Sequence, residues 1–109
     1  MKIKDKLYER KMRKQRGKKG YAESDLFNLD DYFIKTFKAA LTEFKDTVKI
    51  YPLDMTFEEW QQYLDKMIFL LGEMEESWNL KTEKEAKYIE NCKNEFFNML
   101  KKRFWNLWM

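Results

Sequence analysis

Residues 51–74 read Tyr51-Pro52-Leu53-Asp54-Met55-Thr56-Phe57-Glu58-Glu59-Trp60-Gln61-Gln62-Tyr63-Leu64-Asp65-Lys66-Met67-Ile68-Phe69-Leu70-Leu71-Gly72-Glu73-Met74, and this stretch decides the fold. Pro52 lacks an N–H and disfavours a helical conformation at Tyr51, so any helix arriving from upstream must stop here. Thr56-Phe57-Glu58-Glu59 then has the form of a capping box, in which the Thr56 hydroxyl and the Glu59 carboxylate each satisfy a backbone N–H. Trp60, Leu64, Met67, Leu71 and Met74 follow at three- and four-residue intervals, the period of one buried helical stripe. The pattern predicts a helix over about residues 57–76.

Working outward, Phe33, Phe37, Ala40, Leu41, Phe44 and Val48 mark a comparable stripe upstream and predict a helix over about 25–48. Ser24 or Asn28 is placed to cap it, and Asp25, Asp30 and Asp31 suit the positive end of its dipole. Downstream, Thr82-Glu83-Lys84-Glu85 repeats the capping-box form ahead of an inner face of Ala86, Ile89, Phe96, Leu100 and Leu107. Lys101, Lys102 and Arg103 complement the far end of that third helix. Three helices with short connections predict an all-α fold, a small antiparallel three-helix bundle spanning residues 21–109.

Composition agrees with one such domain: of 109 residues, 44% are hydrophobic and 38% charged, enough both to fill a core and to coat it. Three glycines and one proline are too few for the turns of a β-sandwich. The net charge of +3 hides an uneven layout. Residues 1–20 hold ten Lys or Arg against Asp5 and Glu9, a balance of +8; the rest carry 12 basic and 17 acidic groups, a balance of −5. Residues 1–20 therefore read as a basic N-terminal arm or helix. Ile3, Leu7 and Met12 give it weak helical amphipathicity, and Gly17 and Gly20 read as the hinge to an acidic body. Arg10, Lys11, Arg13, Lys14, Arg16, Lys18 and Lys19 on that arm would attract phosphates whatever the base sequence.

The sequence holds no histidine and one cysteine, so neither an ordinary tetrahedral zinc site nor a Cys–His nucleophile can be built within one chain. Gly17, Gly20 and Gly72 have neither Walker nor dinucleotide spacing. Carboxylates are the remaining catalytic candidates: Asp25, Asp30 and Asp31 near the start of the first predicted helix, and Asp54, Glu58 and Glu59 near the start of the second. Helix caps and dipoles account for acids at these places, so no enzyme activity, catalytic residue, metal or cofactor is expected. Cys92, between Ile89 and Phe96, reads as a small buried hydrophobe. The longest apolar run, Met67–Leu71, is far short of a membrane span, and no apolar signal core follows the basic start, so a cytoplasmic location without membrane contact is expected.

At the other end, Phe104-Trp105-Asn106-Leu107-Trp108-Met109 has five apolar residues in six, more than one helix face can bury. Either Trp105 or Trp108 folds back onto the bundle, or the pair marks a surface for a partner or for self-association into a homo-oligomer.

One resemblance adds to this reading. Gly20-Tyr21-Ala22-Glu23-Ser24-Asp25, Leu29-Asp30, Tyr51-Pro52, Met55-Thr56, Glu58-Glu59-Trp60 and Leu64-Asp65-Lys66-Met67 resemble a group of small phage and prophage proteins. That group has a Gly-Tyr-Ser-Asp start, a Leu-Asp pair, a Tyr-Pro-x-x-Met-Thr-x-Glu-Glu-Trp centre and a Leu-Asp-x-Met end. The likeness covers about half the chain. It departs from the pattern by inserting Ala22-Glu23 before Ser24 and by having Phe27 where a tryptophan is usual. It implies phage origin, action in a bacterial host cell, and no particular chemistry. Its shared residues Tyr21, Asp25 and Asp30, with Asp31, Asp54 and Glu58, would form an acidic, aromatic-edged face suited to the basic groove of a host nucleic-acid-handling protein. The expectation is a non-catalytic inhibitor of antiviral defence, anti-CRISPR-like and stoichiometric. The alternatives are a nucleic-acid or nucleotide binder acting through the basic arm, and a phage assembly component.

Overall fold

The capping box at Thr56 forms as its spacing requires. In a computed structural model of the chain, the Glu59 N–H donates to the Thr56 hydroxyl at 3.1 Å and the Thr56 N–H to the Glu59 carboxylate at 2.8 Å. The structure describes residues 3–108, apart from the side chain of Trp78; Met1, Lys2 and Met109, which belong to the arm and the tail, lie outside the described residues. The described residues form four α-helices: α1 (Ile3–Lys19), α2 (Leu29–Thr47), α3 (Phe57–Glu75) and α4 (Glu83–Arg103). Short 3₁₀ segments at Glu23–Asn28, Glu76–Asn79 and Phe104–Asn106 complete an all-α fold with no strand among the described residues.

The chain divides into two compact units, the first ending at Phe33 and the second beginning at Ile34. In the second unit, Trp60, Leu64, Met67, Leu70, Leu71 and Met74 of α3 are all buried, against Ile34 and Leu41 of α2 and Cys92 and Phe96 of α4. The thiol of Cys92 is free and buried, as its helical position suggests. Lys38–Glu75 (2.9 Å) and Lys45–Asp65 (3.0 Å) fix α2 and α3 as antiparallel. Lys66–Glu95 (2.6 Å) and the Tyr63 hydroxyl donating to the Met99 carbonyl (2.8 Å) do the same for α3 and α4. One polar atom inside is unmatched: Trp60 Nε1–H is buried without a partner among the described residues.

Three sequence expectations are corrected here. Of the stripe predicted for α2, Leu41 and Val48 are buried and Phe37 and Phe44 partly so, but Phe33 and Ala40 are exposed and Ile34 is buried instead. On α4, Ala86 is exposed, and Cys92 and Phe96 take the centre of the inner face. The Thr82 hydroxyl caps α4 by accepting the Glu85 N–H at 3.1 Å, but the return bond from Glu85 that would complete a box is not made.

In the first unit, the basic arm is a formed helix. Gly17 lies inside α1 and does not act as a hinge, since one exposed helical glycine costs only about 1 kcal/mol. Gly20 ends the helix: its φ of 83° is the left-handed conformation that glycine tolerates, and its N–H donates back to the Arg16 carbonyl at 2.9 Å. Neither Ser24 nor Asn28 caps the following segment. Ala22 occupies the cap position, and its N–H is taken instead by the Asp25 carboxylate at 2.7 Å. Met12 and Ala22 are the buried apolar residues of this unit among those described.

Candidate functional site

A run of cations repels itself as a free helix, and three contacts hold α1 against the 3₁₀ segment nonetheless. Arg16 donates twice to Asp25, from Nε at 3.0 Å and from Nη2 at 2.7 Å. The Glu23 N–H donates to the Gln15 side chain at 2.6 Å, and Lys11 lies 3.7 Å from the Glu23 carboxylate. The Tyr32 hydroxyl donates to the Gly20 carbonyl, tying the start of α2 to the same turn. The Arg16 hydrogen bond, and secondly the Ala22 N–H, hold the Asp25 carboxyl below the usual carboxylate range; Arg16 is raised in turn.

Docking in this way sorts the charges of α1. At about 100° per residue, Asp5 and Glu9 fall within about 60° of the buried Met12 direction. Lys6, Arg10, Lys11, Arg13, Lys14 and Lys18 all fall about 100° or more away, and all six are exposed. The outer face of α1 therefore carries six cations and no acid, with Ile3 and Leu7 as its only apolar members. Arg16 and Lys19, which the sequence grouped with them, lie on the Met12 side.

The expected acidic face has a different fate. Its residues fall in both compact units: Tyr21, Asp25, Asp30 and Asp31 in the first, Asp54 and Glu58 in the second. Asp25 is engaged by Arg16. Asp54 accepts two hydrogen bonds of 3.0 Å from Arg103, which is the first cause of its lowered pKa and of the raised one of Arg103. Asp30 accepts the N–H of its neighbour Asp31 at 2.9 Å. Glu58 and Tyr21 are exposed. Among the described residues, no group of three or more His, Cys, Asp or Glu is placed to hold a metal ion.

At the end of the second unit, Arg103 joins the C-terminus of α4 to the turn before α3 through Asp54. Arg103 also lies 6.0 Å from the centre of the Tyr63 ring, which stacks on Trp60 at 5.7 Å. Beyond it, Leu107 packs on the core, so the tail folds back through its leucine. Trp105 and Trp108 remain 85% and 57% exposed, and Phe104 is exposed beside them.

Two cavities carry features the sequence reading missed. One, of about 390 Å³, lies where α3 passes to α4, lined by Glu76, Asn79, Leu80, Lys84, Glu85, Tyr88 and Ile89. Beside it the Tyr88 hydroxyl donates to Glu73 at 2.8 Å; that bond first, and the Cys92 thiol second, push its pKa up to about 12. The other, of about 360 Å³, lies within the first unit and is lined by Tyr8, Glu9, Met12, Arg13, Arg16 and Ser24. No signal short of the turn at Gly20 could have placed Ser24 beside α1.

Compared with known protein families, with characterised proteins and with solved structures, the chain matches none. No helix among the described residues is long and apolar enough to cross a membrane.

Proposed function

We propose that this chain is a non-catalytic, phage-type binding protein of the bacterial cytoplasm, and that its primary contact is with the phosphate backbone of a nucleic acid through the outer face of α1. One observation carries the reading: six exposed cations share that face, and both acids of the helix lie on the other side. A polyanion is the ligand such a face complements, because neutralising several phosphates at once releases several condensed counterions. A lipid surface is a poorer fit, since an interfacial helix needs a broad apolar face and this one offers only Ile3 and Leu7. The acidic-face reading receives less support, because Asp25 and Asp54 are each already held by an arginine.

The test is fluorescence anisotropy of labelled single-stranded and duplex DNA against the full chain at about 50 mM salt. Both should bind, and a variant with Arg10, Arg13 and Lys14 changed to Glu should lose binding while keeping its helical circular dichroism. If the wild-type chain binds neither, or if the variant binds as well, the proposal is wrong.

A second reading, antagonism of a host antiviral defence by stoichiometric binding to a defence protein, is favoured by the exposed tail, since Trp and Phe together are the usual anchors of protein interfaces. It predicts that expressing the chain in the host restores plaque formation under active defence. It also predicts that Trp105→Ala with Trp108→Ala abolishes this while leaving DNA binding intact. The same tail in an assembly component would drive homo-oligomers, so light scattering with and without residues 105–109 separates the two roles.

A further inference from the structure

A phosphate-tracking face treats single strands and duplexes much alike, but the cavity bordering it in the first unit is of another kind. Met12, 3% exposed, forms its floor, and Tyr8, 53% exposed, offers an aromatic wall. Arg13 belongs both to this rim and to the basic face of α1. Arg16 also lines the cavity while donating Nε–H and one Nη2–H to Asp25. Glu9 and Ser24 complete the lining.

The mixture excludes some ligands and suits one. A bare phosphate would meet the Glu9 carboxylate, and a purely apolar ligand would strand three charged groups. An unstacked nucleobase needs an aromatic surface to stack on and hydrogen-bonding groups at its edges. An ionised carboxylate only accepts, so Glu9 selects a base edge with donors. Guanine alone presents two adjacent N–H donors, at N1 and N2, together with acceptors at O6 and N7 of the kind arginine favours.

Resting on the nucleic-acid reading above, we propose that the Tyr8–Glu9–Met12–Arg13–Arg16–Ser24 cavity is a base subsite that takes an unstacked guanine from a single strand whose phosphates follow the basic face of α1. Duplex DNA keeps its bases stacked and reaches only the phosphate contacts. The chain should then prefer guanine-containing single strands to duplexes of equal length.

Two measurements on the full chain test this. In the first, GMP and CMP are titrated separately into the ¹⁵N-labelled protein. GMP should shift amides of residues 8–16 and 22–25 at about tenfold lower concentration than CMP. In the second, anisotropy compares single strands of alternating G and T with strands of alternating C and T, and with a duplex. Tyr8→Ala should weaken the G/T strand about tenfold and the duplex hardly at all, and Glu9→Gln should erase the difference between G/T and C/T strands. Both side chains are exposed, so circular dichroism should match the wild type. If both variants bind every strand as the wild type does and GMP shifts nothing, the cavity proposal falls and the phosphate reading stands. If GMP shifts those amides but no oligonucleotide binds, the cavity takes free guanine nucleotides only, and both the single-strand proposal and the phosphate reading fall.

Discussion

Phe96 and Phe97 are neighbours in sequence and alike in chemistry, yet the fold treats them oppositely, which gives a quantitative test of the second unit's core. Phe96 is completely buried, with its ring edge-on to Phe37 at 6.0 Å and to Phe97 at 5.0 Å. Phe96→Ala removes a whole buried ring and leaves a cavity, a change that typically costs about 3–5 kcal/mol. Phe97 is 43% exposed, so truncating it forfeits only part of its burial and one ring pair, about 1–2 kcal/mol. At about 0.05–0.15 kcal/mol per residue, a chain of this length has roughly 5–15 kcal/mol of stability in all. Phe96→Ala should therefore remove a substantial share of it, from about a fifth upward, and Phe97→Ala a distinctly smaller one. Urea titration followed by circular dichroism reads both, with slopes compared to confirm that the same surface is exposed. A Phe97→Ala loss equal to that of Phe96→Ala, or a Phe96→Ala loss under about 1 kcal/mol, would refute the packing described.

Binding of a single strand by six cations should fall with a log–log salt slope of about 4, some 300-fold between 50 and 200 mM, and Lys14→Gln with Lys18→Gln should reduce the slope by about 1.4; an unchanged slope places the contact elsewhere. Asp25 and Asp54 have folded-state pKa values lowered chiefly by their arginines, so the stability they contribute is present above the ordinary carboxylate pKa of about 4 and is lost as the pH falls through the lowered values. Thermal melts should accordingly be flat from about pH 7 to 5 and decline below about 4, less steeply in Asp25→Asn/Asp54→Asn. Tyr88 is raised to about 12, so its contribution is complete below about pH 10 and is lost as the pH rises through 12. Its tyrosinate absorbance should appear late in an alkaline titration, and Glu73→Gln should bring it earlier.

How far the sequence could be read depended on whether a local signal fixed the phase of each helix. In α3 it did, because the Thr56 box sets the first turn and every expected stripe residue from Trp60 to Met74 is buried. In α2 no cap set the phase. Phe33 and Ile34 lie about 100° apart at the two edges of the stripe that Phe37, Leu41, Phe44 and Val48 define, and contacts with α3 and α4 bury the second. The basic segment was legible as a charge run, but its one-sidedness required the helix to form and dock. Docking rests on Arg16 meeting Asp25 across the Gly20 turn, a pairing nine residues apart that no periodicity announces. The same turn creates the base-sized cavity. In the tail, the apolar excess and the inward Leu107 were legible, whereas the 3₁₀ turn after Arg103 that leaves Trp105 and Trp108 exposed was not.

The unequal placement of the tryptophans makes the protein its own spectroscopic instrument. Trp60 is sealed in the core, and Trp105 stands almost wholly in solvent. Blue-shifted emission from the first, shielded from iodide, and red-shifted, quenchable emission from the second report on separate events in one cuvette. In a Trp78→Phe background, loss of the shielded component marks unfolding of the bundle. Protection of the quenchable component marks occupation of the tail, whether by a partner or by another copy of the chain, with no label attached.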